Sequence, residues 1–170
     1  MRTLVFAAVA AFAFLAGCAA RPTVQPTAPL PDLRAHKGVQ VIVDAPAEIR
    51  AKTGYEQTAV ALQEEFVTQL RQGGRFGSVG TESAPERTLL ARLTIEDLNY
   101  VHGATRGLTG IFAGRAVLKV RMTLTDRRSG RTLGSVSAAD ESSAWQGVFA
   151  PTTSRQVSAI VQQLADQLKR

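Results

Sequence analysis

With 170 residues, 45% of them hydrophobic and 20% charged, the chain is long enough for one ordinary domain plus a tail and too apolar to stay disordered. One cysteine and two histidines exclude an internal disulfide and any Cys-rich or His-rich metal site. The net charge of +6 is mildly basic, which suits anionic headgroups or polyanions.

Arg2 precedes an apolar run, Leu4 to Leu15, with the length of the hydrophobic part of a secretory signal and short for a bilayer span. Leu15-Ala16-Gly17-Cys18 follows, a string that resembles the bacterial lipobox. Small Ala16 and Gly17 admit a peptidase, and the Cys18 thiol can carry a thioether-linked lipid. The resemblance implies that residues 1–17 are a signal peptide and that Cys18 becomes the acylated N-terminus. Loss of Arg2 then leaves mature side chains at +5, from 19 basic and 14 acidic residues. Several acyl chains together hold a protein stably to a membrane, whereas one alone is marginal. The alternative is an uncleaved anchor helix. Covalent lipid on Cys18 is the only attached group expected, and no cofactor or metal is. The export signal also removes nucleic acid from the expected partners. By analogy with lipoprotein sorting, Ala19 rather than Asp after the cysteine directs the protein to the outer membrane, on its periplasmic face.

Residues 18–38 hold Pro22, Pro26, Pro29 and Pro31 and read as an extended tether. At about 3.1 Å per residue it could reach roughly 50 Å. His36, at its end, is expected to be solvated. A single domain is expected over residues 39–170. Val39, Val41 and Val43 alternate with polar residues as in a strand that Pro46 ends. Between Tyr55 and Gln72 the period changes: Ala59, Leu62, Phe66 and Leu70 mark a helix that Gly73-Gly74 stops. Phe76 and Val79 fit a short apolar patch or strand. A strand from about Thr88 puts Leu89, Ala91, Leu93 and Ile95 on one face, with Leu90, Arg92, Thr94 and Glu96 on the other.

The stretch Gly103 to Gly114 follows. Its four glycines space Leu108, Ile111 and Phe112, which makes it either a mobile loop or a partner-docking element. The next strand has Ala116, Leu118, Val120, Met122 and Leu124 on one face and Arg115, Lys119 and Arg121 on the other. Asp126 to Arg131 reads as a hairpin loop, with Gly130 free to take positive φ, and Leu133 to Asp140 as the returning strand. The last helix carries Val157, Ile160, Val161, Leu164 and Leu168 as its apolar stripe, with Thr153 and Gln156 spaced as a capping box. The fold class expected is therefore α+β: a mainly antiparallel sheet of four to five strands, in the order β-α-β-β-β-α, with two amphipathic helices on one face.

No nucleophile elbow, phosphate-binding Gly-Lys-Ser/Thr loop or His-Glu-x-x-His occurs, so a non-enzymatic protein is expected. The neighbouring acids Glu96-Asp97 and Asp140-Glu141 should point to opposite sheet faces. Nine Lys/Arg and three acids lie between Arg87 and Arg131. Arg92, Arg115, Lys119 and Arg121 thus form a basic sheet face, either solvated or in contact with an anionic surface.

Gln72-Gly73-Gly74-Arg75-Phe76, the strand at Leu89 to Ile95, Gly114-Arg115-Ala116, Val120 to Asp126 and Ser129-Gly130-Arg131-Thr132-Leu133 resemble the lipoproteins grouped as domain of unknown function 4410. The resemblance covers roughly Val39 to Ser143 and implies an envelope lipoprotein with no established activity. That family looks distantly akin to the α/β domain of the curli-secretion lipoprotein. A rival resemblance, to the lipopolysaccharide-assembly lipoprotein, rests on element order and the lipobox. Ala19-Ala20-Arg21-Pro22 stands where that protein has aromatic and glycine residues. The function expected is a membrane-anchored interaction module facing the periplasm. It holds lipid through Cys18 and meets another envelope protein or an anionic envelope polymer. The alternative is a lipid- or lipopolysaccharide-assembly partner of an outer-membrane barrel.

Overall fold

The clearest period-two stretches of the chain become the middle of one sheet. In a computed structural model that describes residues 23–26, 30–99, 116–142 and 152–169, β4 (Leu89–Asn99) pairs antiparallel with β5 (Ala116–Asp126). On its other side β5 pairs antiparallel with β6 (Thr132–Ser142). β2 (Gly38–Asp44) lies parallel to β4, and β3 (Ser78–Gly80) lies parallel to β2. β1 (Thr23–Pro26) closes the far edge, antiparallel to β6. The order across the sheet is β1-β6-β5-β4-β2-β3.

Two long helices cover one face. α2 (Tyr55–Gln72) follows the four-residue α1 (Ala47–Arg50) and lies over β2 and β3. α3 (Thr152–Lys169) lies over β5 and β6 and packs along α2. α2 buries Tyr55, Thr58, Leu62, Phe66, Val67 and Leu70, a stripe spaced by three and four residues. It starts at Gly54, whose φ of 83° would strain any residue bearing a Cβ, and Thr58 Oγ1 donates to the Gly54 carbonyl at 2.8 Å. Against these helices stand Val39 and Val41 of β2, Leu89, Leu93 and Ile95 of β4, Leu118, Val120 and Met122 of β5, and Val136 and Ala138 of β6. Each fully buried aliphatic or aromatic side chain contributes about 1.5–3 kcal/mol of transfer free energy, so this single layer is what holds the sheet to the helices.

The α+β class, the one-sided helices and the alternation on β4 and β5 agree with the sequence. Five features go beyond it. The sheet has six strands rather than four to five, and two of its pairings are parallel. The Pro-rich segment is not all tether, because β1 forms inside it. Proline lacks an N–H and is tolerated on an edge strand, and β1 is an edge. Leu33 is only 4% exposed and Leu30 packs against the core, so the folded unit begins ahead of Val39. His36 is half-buried, with Nδ1 at 3.1 Å from Thr88 Oγ1. Thr153 lies inside α3 rather than ahead of it, and Gln156 Nε2 donates to the Asp140 carbonyl at 3.3 Å, tying the helix to β6.

Candidate functional site

The face of the sheet turned away from the helices carries the cations that the alternation predicts. Arg92 and Arg121 are exposed there, as is Lys119. A bulge in β4 lies among them. Ile95 pairs with Val120 and Asp97 with Lys119, which leaves Glu96 as the extra residue. The bulge breaks the alternation, so Glu96 and Asp97 are both left outside the core while Ile95 and Leu98 stay within it. The two adjacent acids therefore do not take opposite faces, as regular pleating would require.

Glu96 then stands between two cations. Arg121 Nε lies 2.5 Å from Oε1, and Lys119 Nζ lies 3.1 Å from Oε2. Asp97 takes Lys52 at 3.2 Å. Arg92 Nη1 lies 3.2 Å from Asp44 Oδ2, and Arg50 reaches Asp44 Oδ1 at 3.9 Å. Arg92, Lys119 and Arg121 thus each have a carboxylate, and this face is a set of ion pairs rather than a bare basic stripe. Pairs this exposed contribute about 0–1 kcal/mol each. Glu96 and Asp97 hold separate cations and do not share one, which is not the arrangement of an acid/base dyad. Among the described residues, no three or more His, Cys, Asp or Glu gather where they could hold a metal ion. No helix among them is long and apolar enough to cross a membrane.

Cys18, Leu108, Ile111, Phe112, Arg115 and His102 lie outside the described residues. What the structure does fix is where the chain enters and leaves their neighbourhood. Thr23 pairs with Ala139 and Pro26 with Val136, so β1 enters the sheet toward the end where β6 finishes. β4 also finishes at that end, at Asn99, and β5 begins there, at Ala116.

The opposite end, around the β5–β6 hairpin, holds a feature that sequence periodicity does not show. A concavity of about 330 Å³ opens between the turn preceding β4 and the hairpin, lined by Ser83, Arg87, Thr88, Arg127 and Arg128 among others. Arg127 holds the two loops together. Its Nη1 donates to the carbonyls of Ala84 (3.3 Å) and Arg87 (3.0 Å), and its Nη2 to Ser83 Oγ at 2.5 Å. Arg87 Nε donates to Ser78 Oγ at 3.0 Å and Nη1 to the Glu82 carbonyl at 2.7 Å. Its guanidinium lies so close over β3 that a Cβ on Gly80 would come within 2.8 Å of it. Asp126 shapes the hairpin: its Oδ1 accepts the backbone N–H groups of Arg128 (2.8 Å) and Ser129 (3.1 Å). These bonds, from Ser129 first and then Arg128, hold its carboxyl below the ordinary aspartate value. The adjacent Arg127-Arg128 was visible in the sequence inside the hairpin loop. The meeting with Arg87, forty residues upstream, was not.

Residues 35–146, more than half of the chain, match the family described as Domain of unknown function (DUF4410). The chain belongs to this family. No curated protein matches it. Among solved structures this DUF4410 chain is similar to the PelC dodecamer of Paraburkholderia phytofirmans, at 16% identity and a TM-score of 0.58, over 87% of this chain and 97% of that one. It also matches a DUF330 protein of Xanthomonas campestris at 14% identity and a TM-score of 0.46, over 88% and 90% of the two chains. The lipoprotein GNA1162 of Neisseria meningitidis matches at 15% identity and 0.32, over 75% and 95%. The DUF4410 chain shares its fold with PelC.

Proposed function

We propose that this DUF4410 protein is a lipid-anchored lipoprotein of the cell envelope. In this reading it is a non-enzymatic module that faces the periplasm from the outer membrane and docks onto other envelope components. The observation that carries the reading is the position of Leu15-Ala16-Gly17-Cys18, five residues ahead of β1. Five extended residues reach at most about 18 Å, so an acylated Cys18 would keep the folded unit close to its membrane. Intact-mass measurement of the full chain produced in a Gram-negative host tests it. The expected product starts at Cys18 and carries acyl mass there. Cys18→Ala should leave an unprocessed precursor that is not acylated. A mature form beginning elsewhere would sink the reading. Density-gradient separation of the two membranes then tests the outer-membrane assignment.

The likeness to PelC, whose structure is a dodecamer, supports a second reading, in which copies of this chain assemble with one another. Native mass spectrometry of the detergent-solubilised protein tests this directly. A monomer at micromolar concentration would reject self-assembly and leave the lipoprotein reading untouched.

A further inference from the structure

We propose that the concavity at the hairpin end is a binding site for an oxyanion, a phosphate or carboxylate group, through Arg87, Arg127 and Arg128. Charge compensation separates these three arginines from the basic residues on the open sheet face. Arg92, Lys119 and Arg121 each lie within 3.2 Å of a carboxylate oxygen. Among the described residues, Arg87, Arg127 and Arg128 make no ion pair, and the bonds that fix Arg87 and Arg127 go to neutral carbonyl and hydroxyl oxygens. The positive charges of Arg87 and Arg127 are held in place and not cancelled.

The nearby acids are turned to other work. Asp126 Oδ1 is occupied by the hairpin's own N–H groups, and Glu86 Oε1 lies 3.3 Å from Ser78 Oγ. Glu82 is exposed and contributes its carbonyl, not its carboxylate, to Arg87. A guanidinium offers five N–H donors in a planar fork. Among the described residues, Arg87 Nη2, Arg127 Nε and the whole fork of Arg128 have no hydrogen-bond partner, and Ser83 and Thr88, whose hydroxyls already bond Arg127 and His36, line the same concavity. Donors fixed before a ligand arrives lose little freedom on binding, which favours a charge-assisted contact even at a partly open site.

The direction in which the site faces rests on the lipoprotein reading. β1 enters near Ala139, and seven residues of β6 separate that point from Thr132 at the hairpin. At about 3.3 Å per residue this is roughly 23 Å, which sets the pocket on the far side of the domain from the anchor. The oxyanion is therefore one carried in the periplasm rather than a headgroup of the anchoring membrane.

Full-length protein in detergent micelles, with its arginine side chains labelled with nitrogen-15, is titrated with inorganic phosphate and separately with acetate at fixed ionic strength. Saturable shifts at the guanidinium signals of Arg87, Arg127 and Arg128 are expected. Arg128→Gln should weaken phosphate binding about tenfold, the loss of one charge-assisted contact, while the exposed Arg34→Gln leaves it unchanged. Among the described residues Arg128 donates no side-chain bond, and an unchanged circular-dichroism melt confirms that the variant is folded. Shifts that rise linearly and are matched by chloride, or binding that survives Arg128→Gln, would overturn the site. In nanodiscs, competition by phosphatidylglycerol but not phosphatidylcholine would overturn the outward direction, and its absence supports it. Failure of Cys18 acylation removes only the argument about direction, because the phosphate titration reads the pocket without reference to the anchor.

Discussion

Arg121 closes on Glu96 at a bulge: its Nε lies 2.5 Å from the carboxylate of the extra residue of β4. The same carboxylate takes Lys119, so one half-buried acid compensates two cations. Glu96→Gln should lower stability by about 1 kcal/mol, the sum of two modest surface pairs. It should also strengthen retention on a cation-exchange resin more than the removal of one exposed charge does. A urea melt with no change, alongside unchanged retention, would mean that Glu96 does not hold these two cations.

The core prediction separates the two faces of β5. Val120 and Leu164 are 0% exposed, between sheet and helix. Truncating either to Ala should cost about 2–4 kcal/mol. Arg121→Ala, on the outer face of the same strand, should cost under about 1 kcal/mol. Denaturant melts followed by circular dichroism compare them, and equal losses at Val120 and Arg121 would contradict the assigned faces.

Gly38 is required by a close approach. A Cβ there would stand 2.4 Å from the Glu86 carbonyl oxygen, a backbone atom that cannot rotate aside. Gly38→Ala should therefore destabilise by about 1–3 kcal/mol as the turn before β4 is pushed away from β2. The arginine pocket hangs from that turn, so the variant's Arg87 and Arg127 guanidinium signals should broaden or move as well.

Asp126 gives a pH dependence with a definite sign. Backbone N–H bonds from Ser129 and Arg128 depress its folded-state pKa below the unfolded value. Its contribution to stability is thus complete above the unfolded aspartate pKa and is lost as pH falls through the depressed folded-state value. Carboxyl carbon-13 titration should find Asp126 below the ordinary aspartate range. Asp126→Asn should flatten the acid limb of the stability profile, and an unshifted titration would show that the hairpin N–H groups are not holding the charge.

What the sequence reveals here is periodicity, and what it hides is pairing. Leu89 to Ile95, Leu118 to Leu124 and the stripes of α2 and α3 announce their buried faces because each needs only its own spacing. The bulge at Glu96 has no local signature, since a bulge is defined by the strand opposite. β1 sits in a segment whose prolines argue for an open chain, and only the free edge of β6 makes a strand of it. The parallel partners of β2 depend on where α2 returns the chain, and α1 at four residues is too short to show a helical period. Arg92, Lys119 and Arg121, singled out by alternation, are residues that the fold neutralises. Arg87, Arg127 and Arg128, which make no ion pair among the described residues, come from a turn and a hairpin tip that only tertiary structure unites. Cys18, Leu108, Ile111, Phe112 and Arg115 fall outside the described residues, so their roles rest on the sequence.

The register of β1 on β6 also sets how the molecule carries a mechanical load. Thr23 is the end of β1 nearer the N-terminus, and it lies toward the finish of β6 rather than toward the hairpin. A pull on the chain ahead of Thr23, directed away from the hairpin, runs along the axis of β1. Ladder hydrogen bonds stand perpendicular to antiparallel strands, so such a pull shears all four pairs from Thr23 to Pro26 together instead of peeling them one after another. A four-residue edge strand that adds little to equilibrium stability can in this geometry act as a grip between the N-terminal segment and the sheet.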